Sequence, residues 1–131
     1  MAIVPKISDQ EANPEARAVF DDIRATRKSD QINDFWRVLA NDPPQAAAVW
    51  AQAKVVMAPG ALDALTKELI YVAVSVANNC EYCIHTHTES ARAKGMTAEQ
   101  HNELMRVIAL AATTNRIAIG YQIEPDERFR R

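Results

Sequence analysis

The residues best suited to chemistry lie between Glu68 and His87. The chain has two cysteines, Cys80 and Cys83, which form a Cys-Glu-Tyr-Cys unit, and His87 follows the second of them by four residues. Successive side chains on a helix rotate by roughly 100°, so these three would lie within about 60° of one another. The spacing predicts two thiols and a base on one helical stripe, with Glu68 twelve residues before the first thiol.

A thiol attacks as the thiolate, so the features that favour the thiolate matter most. The thiol pKa falls from about 8.5 to roughly 3.5–7.5 at a helix N-terminus, beside a cationic histidine, or within Cys-X-X-Cys. Asn78 and Asn79 are typical N-cap residues and predict that both cysteines enter the first helical turn. His87 is placed to accept a proton from Cys83, and Glu68 could orient the imidazole or relay protons if the fold brings its helix alongside.

The same residues carry a family resemblance. Glu68, a Cys-Glu-Tyr-Cys unit at 80–83, and His87 resemble the active-site signature of the alkylhydroperoxidase D-like (AhpD-like) group in the carboxymuconolactone decarboxylase superfamily. The resemblance covers about residues 35 to 124. It implies an all-α homo-oligomer, a trimer or hexamer, whose cysteine pair cycles between dithiol and disulfide while it reduces a small hydroperoxide. The decarboxylase branch typically lacks the cysteine pair, which argues against lactone decarboxylation.

The two thiols are predicted to have different roles. Cys80 is nearer to the helix N-terminus, where the dipole lowers a thiol pKa most. Cys83 has His87 at i+4, and such a base both generates the thiolate and returns a proton to the leaving oxygen. We therefore predict that Cys83 attacks the peroxide and that Cys80 converts the resulting sulfenic acid to a disulfide. No metal or organic cofactor is needed, although a protein or small-molecule thiol must reset the pair.

Three other interpretations of the cysteines stay open. The chain could be a disulfide oxidoreductase or redox adaptor that exchanges electrons with a protein partner without peroxidase turnover. It could be a zinc-binding or ligand-binding module, although ligands on one stripe converge poorly on a tetrahedral ion and no second Cys-X-X-Cys is present. The cysteines could also be buried structural residues. Tyr82, between them, could donate a hydrogen bond at the pocket mouth or simply pack.

The composition sets the bounds on class and partners. The chain has 131 residues, enough for a single domain over 1–131, and 48% hydrophobic residues with three glycines favour helices over sheet. A net charge of −2 with dispersed basic residues predicts no nucleic-acid or membrane-surface partner. The N-terminus does not have the pattern of a signal peptide, so we expect a cytoplasmic protein. The longest apolar run, Leu69 to Ala77, is too short to cross a bilayer.

The pattern along the chain predicts about six helices. Asn13 and Asp42 each precede a proline and predict helix starts, Thr97 with Gln100 predicts a capping box, and Gly95 predicts a left-handed helix end after Lys94. The segment YVAVSV alternates like a strand, but its length and the apolar stripe that includes Val72 favour a buried helix carrying Glu68.

Helical spacing also predicts which side chains face inward. We expect the first helix to bury Ala16, Val19, Phe20 and Ile23, and the next two to place Trp36 and Trp50 in a core or subunit contact. Further on, AEQHNELMRVIALAATT predicts a helix whose inner stripe includes Leu104, Val107, Ile108 and Ala111, followed by a separate short helix that ends near Gly120. The apolar stripes of VWAQAKVVM and AIGYQI have no obvious internal partner, which predicts a homo-oligomer.

Overall fold

A computed structural model, which describes residues 1–130, confirms the all-α fold class. Within these residues there are six α-helices, one 3-10 turn and no strand. Among residues 1–130, no helix is both long and apolar enough to cross a membrane. The helices are α1 (Pro14–Arg27), α2 (Asp34–Leu39), α3 (Pro43–Met57), α4 (Ala64–Ala77), α5 (Glu81–Ala93) and α6 (Ala98–Gly120), and the 3-10 turn is Glu127–Phe129.

The helix starts follow the local signals in the sequence. The side chains of Asn13, Asp42 and Asp63 each accept a hydrogen bond from a backbone N–H three residues later, at 2.8, 3.3 and 2.8 Å. Thr97 and Gln100 form the predicted capping box. These caps satisfy N–H groups that the first turn of a helix leaves without a partner, which is why short polar residues determine where helices begin.

The residues fall into two compact units, Met1–Ala58 and Pro59–Arg131. The first contains α1, α2 and α3, and all four residues predicted to face inward from α1 are buried. Trp36 and Trp50 pack edge to face at 5.4 Å, and the Trp50 indole N–H donates to Asp22 at 2.7 Å. The predicted core position of both tryptophans is therefore confirmed. The interpretation of 1–131 as one domain stays a prediction.

In the second unit, α4 packs against both α5 and α6. Residues 71–76, YVAVSV, are helical despite their strand-like alternation, as the apolar stripe predicted. Val72 is fully buried and Ser75 is 4% exposed, so packing of one helical face outweighs the modest β-propensity of the valines. The Ser75 hydroxyl donates to the Tyr71 carbonyl at 2.7 Å, so its polar group is satisfied within the helix.

Two predictions about α6 were wrong. The chain does not end one helix and begin another before Gly120, because Ala98–Gly120 is continuous. The segment between contains no glycine or proline, and the hydroxyls of Thr113 and Thr114 donate to carbonyls of the preceding turn at 3.0 and 3.2 Å. The predicted inner stripe is also incomplete, because Val107 is 64% exposed and Ala111 is exposed.

Candidate active site

The connection between α4 and α5 differs from the sequence prediction. Asn78 and Asn79 do not cap α5 but end α4, with Asn79 in the left-handed region at φ 56°. The Asn79 N–H donates to the Val76 carbonyl at 3.2 Å, and the Cys80 N–H donates to the Ser75 carbonyl at 3.0 Å. This pair of bonds is the Schellman ending of a helix, and asparagine takes the left-handed position with less strain than most residues.

Cys80 itself is therefore the N-cap of α5. Its backbone is not helical, at φ −87° and ψ 88°, and its Sγ accepts a hydrogen bond from the Cys83 N–H at 3.3 Å. The prediction that Cys80, Cys83 and His87 share one helical stripe was wrong for Cys80, because the α4 ending places it before the first turn. Cys80 and Cys83 form a disulfide with their Cα atoms 5.3 Å apart, so both sulfurs lie at the N-terminal end of α5.

Packing of α4 on α5 brings Glu68 to His87. The side chain of Glu68 is 5% exposed, and its Oε2 lies 2.7 Å from His87 Nδ1. Its Oε1 accepts hydrogen bonds from Ser90 Oγ at 2.8 Å and from Lys94 Nζ at 2.9 Å. The sequence predicted contact between Glu68 and His87 only if the fold brought their helices together, and this contact is present. Both oxygens of the Glu68 carboxylate have partners.

These contacts determine the charge of Glu68. Burial raises the pKa of the carboxyl, but hydrogen bonds from His87, Lys94 and Ser90, together with the positive charge of Lys94, outweigh burial and lower the pKa from 4.5 to about 2. The carboxylate is ionised at neutral pH and can only accept hydrogen bonds.

The ionised carboxylate also determines which nitrogen of His87 is basic. Because Glu68 only accepts, Nδ1 of the ring must carry a proton, and in the neutral imidazole the free lone pair is then on Nε2. The Tyr71 ring stacks on the imidazole, with centroids 3.5 Å apart and planes 16° from parallel. The Glu68 bond and the Tyr71 stack together define both the rotation and the plane of the His87 ring.

Ser90, Lys94 and Tyr71 were not predicted as site residues. Ser90 lies three residues after His87, Lys94 four residues after Ser90, and Tyr71 three residues after Glu68. These are the spacings of neighbours on one helical face, so the sequence contained a signal. Lys94 was interpreted only as a residue near a helix end, and serine and tyrosine at such spacings occur on many helices without a shared function.

The other predicted residues are more exposed. Tyr82, the possible supporting residue, is 41% exposed, and its role stays a prediction. Cys80 and Cys83 are partly exposed, which leaves the disulfide at the surface of the second unit. In the part of the chain that the structure describes, no group of three or more His, Cys, Asp or Glu side chains is arranged to hold a metal ion. The catalytic roles of Glu68 and the cysteines stay predictions.

Comparison with known proteins gives three matches. The model of the carboxymuconolactone decarboxylase family matches residues 43–121, which include every residue of this site. The crystal structure of the alkylhydroperoxidase AhpD core from Rhodospirillum rubrum is similar with a TM-score of 0.96 and 55% sequence identity, covering 98% of this chain and 97% of that one. An uncharacterized protein 4 of the cox locus from Paracoccus denitrificans is 48% identical over 62 residues, which cover 47% of this chain and 56% of that protein.

Proposed function

Because the chain belongs to the carboxymuconolactone decarboxylase family and is AhpD-like, we propose that it is a thiol-dependent peroxidase in which Cys80 and Cys83 reduce hydroperoxides. The observation that carries the proposal is a bonded cysteine pair at the start of α5, one turn before an imidazole held by a buried carboxylate. The pair supplies the two electrons, and the imidazole and carboxylate supply the proton transfer.

The reaction begins with the dithiol form. His87 Nε2 takes the proton of Cys83, and the thiolate attacks the terminal oxygen of the hydroperoxide. The O–O bond breaks, Cys83 becomes a sulfenic acid, and the alkoxide takes the proton from the imidazolium and leaves as an alcohol. Cys80 then attacks the sulfenic sulfur, which forms the disulfide and releases water. A thiol donor returns the pair to the dithiol, so one hydroperoxide and two donor thiols give alcohol, water and a donor disulfide.

Replacing one cysteine at a time tests this assignment. Cys80→Ser keeps an N-cap oxygen at the start of α5 and is expected to leave a sulfenic acid on Cys83 that dimedone traps. Cys83→Ser is expected to abolish the reaction with peroxide. A dimedone adduct on Cys80 in the Cys83→Ser protein, with none on Cys83 in the other variant, would reverse the two roles. Absence of peroxide consumption with any thiol donor would refute the peroxidase itself.

One observation favours a second candidate, a disulfide oxidoreductase or redox adaptor. Cys80 Sγ accepts a backbone N–H at the N-terminus of α5, where the helix dipole stabilises a thiolate. A thiolate stabilised at this position would suit exchange with a protein disulfide. Reduction of insulin disulfides without consumption of hydroperoxides would favour this function, and the opposite result would favour the peroxidase.

We also propose that the protein is a homo-oligomer. Along Ala98–Gly120 every residue is at least partly exposed, although the helix is rich in large apolar side chains. Leu110 is 65% exposed and Ile119 is 75% exposed. Exposed apolar surface of this extent is typical of a subunit interface. Light scattering at micromolar concentration tests the proposal, and a mass near the 14.6 kDa of one chain would refute it.

A further inference from the structure

The two oxygens of the Glu68 carboxylate have different partners. Oε2 lies against His87 Nδ1, whereas Oε1 accepts Ser90 Oγ at 2.8 Å and Lys94 Nζ at 2.9 Å. Lys94 Nζ also lies 2.9 Å from Ser90 Oγ, so Lys94, Ser90 and Oε1 form a closed triangle. The imidazole therefore interacts with one oxygen, and the ammonium group holds the other.

This arrangement matters because a buried carboxylate needs a compensating charge. The Glu68 side chain is 5% exposed, and an ionised group at such a position is costly unless it is paired. If His87 were the only compensating group, the Glu68 charge would be balanced only while the imidazole is protonated. A proton acceptor must be neutral for part of its cycle, and Glu68 would then be without a cation.

We propose that Lys94, seated by Ser90, is a positioning residue that keeps Glu68 ionised in both protonation states of His87. The imidazole then gives and takes its proton at Nε2 only, while Nδ1 stays bonded to a carboxylate. This inference rests on the proposed function, in which His87 accepts the proton of Cys83. It assigns to Lys94 an action through Glu68, without contact with the substrate.

The other charged or ionisable groups flanking the network on α4 and α5 are Lys67, Glu81, His85, Glu89 and Arg92, of which Glu81 and His85 are exposed. Lys67 precedes Glu68, and its ammonium group lies beside Gly60. If residue 60 had a Cβ, that atom would lie 3.7 Å from Lys67 Nζ. Glu89 and Arg92 form an exposed pair at 3.3 Å. Arg92 is therefore a matched control for Lys94, because it carries the same charge at the same end of α5, two residues away, but is paired with an exposed carboxylate.

Helix α6 also packs on α4, but in the described part of the chain it contributes no bonded group to this network. Among residues 1–130, the groups bonded to the Glu68 carboxylate are His87, Ser90 and Lys94. The two charged or ionisable neighbours in the network are thus a histidine on α5 and the lysine that follows the last residue of α5 as its C-cap. Within residues 1–130, no ionisable residue of α6 bonds to Glu68 or His87. The ionisable residues of α6 are Glu99, His101, Glu103, Arg106 and Arg116.

The test measures the reactivity of Cys83 without peroxide. In a Cys80→Ser background Cys83 is the only thiol, and its rate of alkylation by iodoacetamide is measured against pH. In Lys94→Met the acidic limb of this profile is expected to move to higher pH by about one unit, because loss of the cation makes the Glu68–His87 pair hold its proton more tightly. Lys94→Arg is expected to restore the original profile, and Arg92→Met to leave it unchanged.

A double variant tests whether Lys94 acts through Glu68. In a Glu68→Gln background, Lys94→Met is expected to move the limb by less than about 0.3 unit, since no carboxylate remains to be balanced. If Lys94→Met fails to fold, recovery of folding in Glu68→Gln/Lys94→Met supports the inference, because the uncompensated buried charge is then the cause. Failure of that double variant to fold overturns it, because Lys94 is then required for structure alone.

The outcomes separate this inference from the proposed function. Peroxide consumption by the unsubstituted protein, together with an unshifted Lys94→Met profile, overturns the role of Lys94 and leaves the peroxidase intact. The opposite outcome has two parts: the Lys94→Met profile shifts and Lys94→Arg restores it, but the unsubstituted protein consumes no peroxide. That outcome overturns the peroxidase and leaves the role of Lys94 intact. A shift of equal size in Arg92→Met overturns the inference, because any cation near the end of α5 would then have the same effect.

Discussion

Acid is expected to remove a defined part of the stability of this protein by protonating Glu68. Burial raises the pKa of this carboxyl, but the bonds from His87, Lys94 and Ser90 hold it at about 2, against 4.5 for an unperturbed glutamate. One pKa unit corresponds to about 1.4 kcal/mol, so the shift represents about 3 kcal/mol of stability. Because the folded pKa lies below the unfolded one, this contribution is complete above about pH 4.5 and is lost as the pH falls from about 4.5 to about 2.

The variant Glu68→Gln isolates this contribution because glutamine has a similar shape and does not titrate. The free energy of unfolding is measured by urea denaturation and circular dichroism at several pH values, at one protein concentration and with the disulfide intact in both proteins. All other carboxyls titrate in both proteins, so their contributions cancel in the difference. The stability advantage of the unsubstituted protein is expected to shrink by about 3 kcal/mol between about pH 5 and about pH 2.

Glu89→Gln provides the matched control on α5. Its carboxylate pairs with Arg92 at the surface, and exposed pairs of this kind contribute roughly 0.2–1 kcal/mol. The difference caused by Glu89→Gln is therefore expected to change by less than about 0.5 kcal/mol over the same range. If the stability difference caused by Glu68→Gln is equally insensitive to pH, the bonds from His87, Ser90 and Lys94 do not hold Glu68 in its ionised form.

Three further predictions concern the turn, the imidazole and the surface. Asn79→Ala is expected to lower the free energy of unfolding by about 1 kcal/mol in urea denaturation, and Asn79→Gly by less than about 0.5 kcal/mol. The reason is that asparagine and glycine tolerate the left-handed backbone at φ 56° better than alanine does, and equal effects would contradict this. Tyr71→Leu is expected to lower kcat/KM for a hydroperoxide about tenfold, because it removes the ring that stacks on His87. Tyr71→Phe keeps that ring, so its kcat/KM is expected to stay within about twofold of the unsubstituted value. An unchanged kcat/KM in Tyr71→Leu would exclude a role for the stack. Leu110→Lys combined with Ile119→Lys is expected to reduce the mass measured by light scattering, and an unchanged mass would place the interface elsewhere.

Much of the fold could be predicted because helix boundaries depend on neighbours in sequence. Asn13, Asp42 and Thr97 each satisfy backbone N–H groups within three residues, so a short window contains the whole interaction. The same holds for Gly95, which takes the predicted left-handed conformation at φ 97°. The Asn78–Asn79 pair was misassigned because asparagine suits both a helix start and a left-handed helix end, and residues further along decide between the two.

The candidate site divides in the same way. The sequence by itself determined the residue types and spacings of Glu68, the cysteine pair and His87, and with them the chemistry to expect. Only the tertiary structure decided that Glu68 lies 2.7 Å from His87 and that Lys94 holds its other oxygen, because those contacts join residues 19 and 26 positions apart on two helices. The alignment of α4 on α5 depends on how buried side chains such as Val72 and Ala91 fit together, and helical periodicity within either segment does not contain that information.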